Sequence, residues 1–599
     1  MPDKPNTFAV RLQQVYRGGG YMFFDGGMGT MIQRMVDVPY SVPEELLFAQ
    51  PEAIRAIHEA YIRAGADVIT TNTFGASPRK LAEAQCAGGK TLDAAAVMRR
   101  AVSLAREAAD RVRRETPVFV AADIGPLGAL MEPLGPLSFD EAYDNFAVQA
   151  RAAEDAGADL VIIETMSNLY EVKAALLAVK EQTALPAAAS VSFQDDLRML
   201  TGADAETAAV YMGALGAAAL GFNCGGSLED ARVLTGQFAG ASEVPVLVQP
   251  NAGLPVLENG RTVFKVAPAE FGAAQRYNAE QGAVLLGGCC GTTPEHIAEM
   301  IRQVNELPVR PRRRDASVPD AELTVCSGTR TVRIGGSAGP VIIGERINPT
   351  GKKKCKAALA AKDAQFILDE AQKQIACGAH ILDVNVGLPE LDETETMLWA
   401  VRALQKTFDV PLQLDSSEAA VLERALRYYN GKPLINSVSG KQEVMDAVFP
   451  LAAKYGCGIV ALTLDEAGIP PTAEGRVQTA VRIIAEAAAY GIPARDILID
   501  TLTLTVSSQQ DEALETLLAI EALKTLSGED SRFAAVKTVL GVSNISFGLP
   551  RRDIMNAYFL GMALYAGLDA CIINPLAAGM TQAFHAYRAL AGFDANCLN

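Results

Sequence analysis

Short apolar runs alternate with amphipathic helical stretches along the chain, and this alternation limits the folds open to it more than any other feature. In the first half the runs fall at residues 22–24, 68–71, 118–121, 160–163, 187–191, 217–222, 246–249 and 283–286. Runs of this kind between helical stretches read as strands of a parallel α/β sheet. Eight βα units in about 300 residues satisfy a closed (β/α)8 barrel, whose active groups sit at the C-terminal ends of the strands. The helix before the fourth run shows the local logic. Ser138 with Glu141 three residues on is a capping box, Phe146, Ala150 and Ala153 follow at helical spacing, and Gly157 ends the helix.

The pattern lapses after Asn305 into Pro308-Val309-Arg310-Pro311-Arg312-Arg313-Arg314 and a polar stretch with glycine and serine. It resumes with runs at 341–344, 381–383, 412–415, 434–436, 459–462, 497–499, 539–542 and 570–573. The expected architecture is therefore α/β, two tandem (β/α)8 barrels, with residues 1–305 in the first, 306–338 as a linker and 339–599 in the second. One more helix is expected around 581–590, and no third domain is expected within these residues. With 49% hydrophobic and 21% charged residues over 599 positions, the composition is that of a globular protein. A net charge of −17 argues against a nucleic-acid partner, and the arginine run is read as a solvated part of the linker. The first 20 residues lack a signal-type apolar run, and no stretch approaches the 18 or more apolar residues of a membrane span, so a cytoplasmic location is expected.

The strand ends carry the chemistry. Gly287-Gly288-Cys289-Cys290-Gly291 follows the eighth run, and Thr293-Pro294 then opens a helix. Adjacent Cα atoms lie about 3.8 Å apart, below the usual disulfide span of about 4.4–6.8 Å, so these thiols suit a shared metal better than a bridge. A third thiolate is available in Cys224, which follows the sixth run in Gly221-Phe222-Asn223-Cys224. Asn251 follows the seventh, between the two cysteine strands, where its carbonyl is a possible fourth ligand. Three thiolates with one exchangeable position form a catalytic zinc pattern whose natural guest is a thiol. A structural zinc is the plainer alternative. Asp25-Gly26-Gly27-Met28-Gly29-Thr30 follows the first run, where the glycines admit close approach to a ligand, and Glu164 ends the fourth. Asp25 and Glu164 together suit an ammonium group. Asp67, Asn72 and Asp123 also lie near strand ends, positions that suit a turn or cap as well as a ligand.

Over residues 12–305 these motifs resemble the homocysteine-binding, zinc-dependent methyltransferase domain. The resemblance implies three cysteine zinc ligands, Cys224, Cys289 and Cys290, homocysteine bound through its thiol to the metal, and Asp25 and Glu164 on its amino group beside Gly26.

The second half places acids and amides at its strand ends: Glu345, Arg346 and Asn348, then Asp383 and Asn385, Asp415, Asn436, Asp465, Asp500, Asn544 and Asn574. Such a ring suits a flat heterocycle with several N–H donors and ring acceptors, while any one of these residues reads equally as a helix cap. Over about residues 335–595, Gly344-Glu345-Arg346-Ile347-Asn348-Pro349-Thr350-Gly351 and Asp383-Val384-Asn385-Val386-Gly387 resemble the pterin-binding barrel of corrinoid-linked methyltetrahydrofolate methyltransferases. The resemblance implies Asp383 and Asp500 on the pterin ring, with Asn385, Asp415, Asn436 and Asn574 around it and Asn544 near the methyl-bearing nitrogen. Glu418 after Asp415-Ser416-Ser417 departs from the family pattern, and the Lys352-Lys353-Lys354 run is read as a solvated loop.

Together the halves are similar to the N-terminal part of cobalamin-dependent methionine synthases, in which one barrel receives a methyl group on homocysteine, the other donates it from 5-methyltetrahydrofolate, and cobalamin carries it. The carrier's signature, Asp two residues before a histidine, does not occur, because Ala56, Pro294, Gly378 and Ala583 precede the four histidines. The expectation is a chain that is a piece of a longer enzyme, or one that uses a separate cobalamin-binding domain or corrinoid protein. Two rival readings stand beside it: a homocysteine methyltransferase fused to a flavin-dependent methylenetetrahydrofolate reductase, and a non-catalytic zinc- and folate-binding scaffold.

Overall fold

A computed structural model describes residues 7–84, 91–258, 261–309, 322–530, 532–533 and 535–597. The chain forms two units, Met1–Arg314 and Asp315–Asn599. In the first, the strands Met22–Phe23, Val68–Thr70, Phe119–Ile124, Leu160–Met166, Ala187–Val191, Ala219–Asn223, Val246–Gln249 and Ala283–Leu286 make one eight-stranded sheet. All neighbours pair in parallel, and the last strand returns to the first with Met22 opposite Leu285. The remaining seam, between the first and second strands, is held by a bridge from Phe24 to Val68 and by Asp67 N–H donating to the Phe23 carbonyl at 2.7 Å. The ring is thus nearly closed.

Its interior is a single apolar cluster of Phe24, Val68, Ala121, Ile162, Ala188, Leu247 and their neighbours, sealed by Phe8, Leu12 and Val15 of the helix Thr7–Gly18. Side chains alternate along a strand, so the residues two positions beyond these core groups face the interior at the opposite, C-terminal mouth. They are Thr70, Asp123, Glu164, Ser190 and Gln249, and Asn223 lies on the same face of the sixth strand. A dry floor and a polar mouth follow from the same alternation. The sixth and seventh strands approach so closely that a Cβ on Gly221 would lie 1.8 Å from the Leu247 carbonyl oxygen, which only glycine avoids.

The second unit is a closed barrel of Val341–Ile347, Ile381–Asn385, Leu412–Asp415, Leu434–Ser439, Gly458–Leu462, Ile497–Asp500, Lys537–Gly541 and Ala570–Ile573. Val341 pairs with Ala570 to complete the ring. Among the described residues, no helix in either unit is long and apolar enough to cross a membrane.

Two sequence expectations need correction. Within the expected linker, residues 310–321, which include the arginine run, lie outside the described residues, but Leu323–Ser327 and Thr331–Ile334 form an antiparallel hairpin. Leu323, Val325, Val332 and Ile334 belong to the second barrel's core cluster, so the hairpin is its floor, and it also pairs with Gly431–Lys432. The capping box at Ser138 is only half formed. Ser138 Oγ accepts from Glu141 N–H at 3.2 Å, but the Glu141 carboxylate is drawn to Arg79 at 2.7 Å. A complete box occurs instead at Ser227 and Asp230, opening the helix Leu228–Ala241.

The fully buried Tyr429 ties this floor to the barrel: its hydroxyl accepts from Leu412 N–H and donates to the Cys326 carbonyl, both at 3.1 Å. Tyr429→Phe leaves both buried backbone groups short of that partner, and urea denaturation of the second unit is expected to show a loss of about 1–3 kcal/mol. An unchanged midpoint would show that the hairpin is not a structural part of the barrel.

Candidate functional site

The sixth strand of the first barrel ends at Asn223, and the chain turns through Cys224 and Gly225 with φ of +54° and +65°. The eighth strand ends at Leu286 and leads through Gly287 and Gly288 to Cys289 and Cys290. These turns bring Cys224 Sγ to 2.8 Å from Cys289 Sγ and 3.8 Å from Cys290 Sγ. All three sulfurs lie within 4.8 Å of one another, the one such cluster of potential metal-ligating side chains among the described residues. Asn251 sits between the two loops as expected. Its Oδ1 accepts from Cys290 N–H at 3.1 Å and its Nδ2 donates to the Gly225 carbonyl at 3.4 Å, so it ties both cysteine turns together.

The thiol loop is built against the first strand's loop. Gly288 N–H donates to the Asp25 carbonyl at 3.0 Å, and Gly27 N–H donates to Thr292 Oγ1 at 3.0 Å. Thr292 Oγ1 in turn donates to the Cys289 carbonyl at 2.6 Å. A Cβ on Gly26 would meet Thr292 Oγ1 at 2.5 Å, and one on Gly27 would meet the Cys289 carbonyl at 2.7 Å. Gly26 and Gly27 are therefore required by this packing, whereas a Cβ on Gly29 would meet open space.

Asp25 is buried, its two carboxylate oxygens accepting from Thr70 N–H at 2.8 Å and Thr70 Oγ1 at 2.9 Å. Burial outweighs these bonds and pushes its pKa up to about 7. Glu164 is pushed up to about 8, by burial first and then by the charges of Asp25 and Cys290. The thiols divide in the other sense: hydrogen bonds from Cys224 and Cys289 pull Cys290 down to about 3, while its bonds to Cys224 and Cys290, then burial, hold Cys289 well above the ordinary thiol value. The bare cluster thus favours one thiolate. A divalent cation at the three sulfurs would lift that limit.

At the second mouth, Asp383 is buried and accepts from Gln413 Nε2 at 2.7 Å. Burial, then the charge of Asp415, raises its pKa well above the carboxylate range. Burial raises Asp415 to about 6 and Asp500 to about 7. Asn385 Nδ2 donates to Asp415 Oδ2 at 3.0 Å while its Oδ1 accepts from Gly387 N–H, so it holds Asp415 in place. Asn436 also hydrogen-bonds Asp383. Asn544 is exposed, in the single turn Val542–Ser546 beyond the seventh strand. Asn574 Oδ1 accepts from Leu576 N–H at 3.2 Å, the turn role that its position also allowed. Asp465 likewise accepts from Ala467 N–H at 2.8 Å. Glu418 is the exposed residue before the helix Ala419–Tyr428 and makes no side-chain capping bond. Lys353 and Lys354 are exposed, but Lys352 folds back to donate to the Glu345 carbonyl at 3.0 Å.

Several supporting residues have no local sequence signal. Asn223 Oδ1 accepts from Thr165 N–H and Ser190 Oγ, both at 2.8 Å, and its Nδ2 donates to Thr165 Oγ1 at 2.7 Å, steadying the strand end that bears Cys224. Tyr61, on the helix Pro51–Ala64, donates to the carbonyls of Gly27 and Thr292. Gln413, which orients Asp383, lies inside a strand, where only the uncommon sight of a buried amide marks it.

Comparison with known proteins agrees with this division. Residues 22–304 match the family model described as homocysteine S-methyltransferase, and residues 344–574 match that of pterin binding enzyme. Over 579 residues the chain is 33% identical to a protein named methionine synthase from Mycobacterium tuberculosis, covering 92% of this chain and 47% of that one. A methionine synthase from Mycobacterium leprae is 32% identical over 587 residues, with the same coverage. The chain spans about half the length of these relatives. Among solved structures, the oxidised homocysteine methyltransferase MmuM from Escherichia coli is 25% identical with a TM-score of 0.42, covering 49% of this chain and 99% of that one. Dihydropteroate synthase from Yersinia pestis in a sulfonamide complex is 18% identical with a TM-score of 0.36, covering 45% and 100%. The chain thus matches, in order, the family models of homocysteine S-methyltransferase and of pterin binding enzyme, and over 92% of its length it is similar to proteins named methionine synthase.

Proposed function

We propose that this chain moves the methyl group of 5-methyltetrahydrofolate to homocysteine, with cobalamin as the carrier supplied by a cobalamin-binding domain or a separate corrinoid protein. The observation that carries the reading is the cluster of three thiols within 4.8 Å, at the same mouth as the buried Asp25 and the half-buried Glu164. The relatives named methionine synthase support it.

The donor set fits zinc: Cys224, Cys289 and Cys290 supply three soft ligands and leave room for a fourth. Bound there, zinc would supply Lewis acidity that keeps a coordinated homocysteine thiol deprotonated at neutral pH. The chain's own residues do the rest of the binding. Asp25 and Glu164 accept hydrogen bonds from the substrate ammonium, while Asn251, Asn223 and Thr292 hold the strand ends in register. In the second barrel Asp383 and Asp500 accept N–H donors of the pterin, and Asp415, held by Asn385, with Asn436 and Asn574, borders them. Asn544 donates to the nitrogen that carries the methyl group, which is a poor leaving group without such a bond.

Methyl transfer from free methylcobalamin to homocysteine is the direct test. It is expected in the zinc-loaded chain and expected to fall more than about a hundredfold in Cys289→Ala. Zinc measured by emission spectroscopy should drop from one per chain to none in the Cys224→Ser, Cys289→Ser, Cys290→Ser triple variant. Retention of zinc there would overturn the assignment of the metal site.

The second barrel gives a pH test. A protonated Asp500 has an acceptor too few, and burial keeps it protonated up to about pH 7. Affinity for 5-methyltetrahydrofolate, measured by calorimetry, should weaken by about tenfold for each unit below that value and level off above it. Asp500→Asn should bind more weakly at pH 8 and lose this step. A flat wild-type profile between pH 5.5 and 8 would remove Asp500 from the site.

A further inference from the structure

We propose that Asp123 is a third substrate carboxylate of the first barrel, which together with Asp25 and Glu164 cages the α-ammonium group and so selects an amino acid over a plain thiol. The inference rests on the reading of that mouth as a homocysteine site.

Position comes first. Asp123 lies on the strand Phe119–Ile124, two residues beyond Ala121 of the interior cluster, so it faces inward at the mouth. It stands in register with Ile162, and Glu164 follows two residues later on the same inward face of the next strand. Its main chain is fixed: the N–H donates to Thr71 Oγ1 at 3.0 Å and the carbonyl accepts from Thr73 Oγ1 at 2.8 Å. The side chain is not. Asp123 is 4% exposed and its Oδ1 has no hydrogen-bond partner.

The other polar groups near the strand ends are accounted for. Asn72 Nδ2 donates to the Pro43 carbonyl at 2.8 Å, and Asp67, which precedes the strand Val68–Thr70 at the other end of the barrel, accepts from Phe23 N–H at 3.1 Å and pairs with Arg114. Each oxygen of Asp25 already accepts one hydrogen bond from Thr70 and keeps a second lone pair for a ligand donor. Asp123 therefore has no structural duty to explain a carboxyl in that place.

Charge points to the same ligand. Burial first, then the charges of Glu164, Glu44 and Asp25, raise Asp123 well above the carboxylate range. The neighbouring cation, Lys80, answers to Glu44 and Glu171 before Asp123. Buried carboxyls without a counter-charge are costly, and an ammonium brings one positive charge with three N–H donors, one for each carboxylate.

The test is calorimetry on the zinc-loaded chain with two thiols, homocysteine and 4-mercaptobutanoate, which keeps the thiol and carboxylate but lacks the amine. In Asp123→Asn, homocysteine affinity is expected to fall about ten- to a hundredfold, the loss of one charge-assisted bond, while 4-mercaptobutanoate affinity and zinc content stay within about twofold. Asp123→Ser serves if the amide variant is insoluble. Equal weakening of both thiols would mark a merely structural role, and an unchanged homocysteine affinity would remove Asp123 from the site; either result overturns the inference. Failure of the zinc-loaded wild type to bind homocysteine would instead overturn the proposed function, and this inference with it.

Discussion

Thr292 Oγ1 accepts from Gly27 N–H and donates to the Cys289 carbonyl, and through this one hydroxyl the first and last strand-end loops of the first barrel become a single piece. The partners are 265 residues apart in the chain, so the contact exists only once the ring of strands has formed. The same closure places Gly288 on the Asp25 carbonyl and Gly291 N–H on Thr30 Oγ1 at 2.8 Å. Thiols and carboxyls reach one mouth because the strand that bears Asp25 is the one on which the cysteine strand closes. Gly26, Gly27 and Gly288 follow from the approach: a Cβ on Gly288 would lie 2.5 Å from Thr292 Oγ1. Site assembly and barrel closure are one event, and a defect in either would be read in both.

Both mouths keep carboxyl groups away from water, and this has a thermodynamic sign. A carboxyl whose pKa is raised in the fold favours the folded state most when protonated, so its contribution falls as pH climbs from the unfolded value, about 4, towards the folded one. For Asp25 and Asp500 that window ends at about 7, and for Glu164 at about 8. An empty mouth therefore detracts from stability near neutrality. A ligand that brings N–H donors or a positive charge stabilises the ionised form and restores what was lost.

The strands were legible because each short apolar run had to be buried, and all sixteen runs are found as strands with shifts of a few residues at their ends. The run expected at 217–222 begins at Ala219, and that expected at 539–542 begins earlier, at Lys537, a buried lysine that hydropathy alone counts as exposed. The hairpin at 323–334 was present as an alternation of Val332 and Ile334 with Thr331 and Arg333, but it lay under the polar stretch read as linker. The cysteines and the acidic strand ends were legible because their residue types are scarce in such turns. Asn223, Thr292 and Tyr61 were not, since their roles depend on partners on other strands, and the sequence carries no sign of which hydroxyl or amide will find them.

The two barrels share a scaffold and differ in the groups gathered at their mouths. At the first mouth the thiols meet sulfur to sulfur, so hydrogen bonds among them hold the charge at one, and only a multivalent cation allows three thiolates together. At the second mouth two acids are paired with amides, Asp383 with Gln413 and Asp415 with Asn385, and Asp500 accepts from Leu502 N–H. Amides orient a carboxylate without neutralising it, which leaves its second oxygen for a planar donor pair and makes a heterocycle, rather than a metal, the natural complement. A ring of neutral and anionic acceptors cannot gather soft metal ligands, and a thiol cluster cannot read the edge of a heterocycle. Under the proposed function the methyl donor and the methyl acceptor call for different mouths, which is a reason for two barrels.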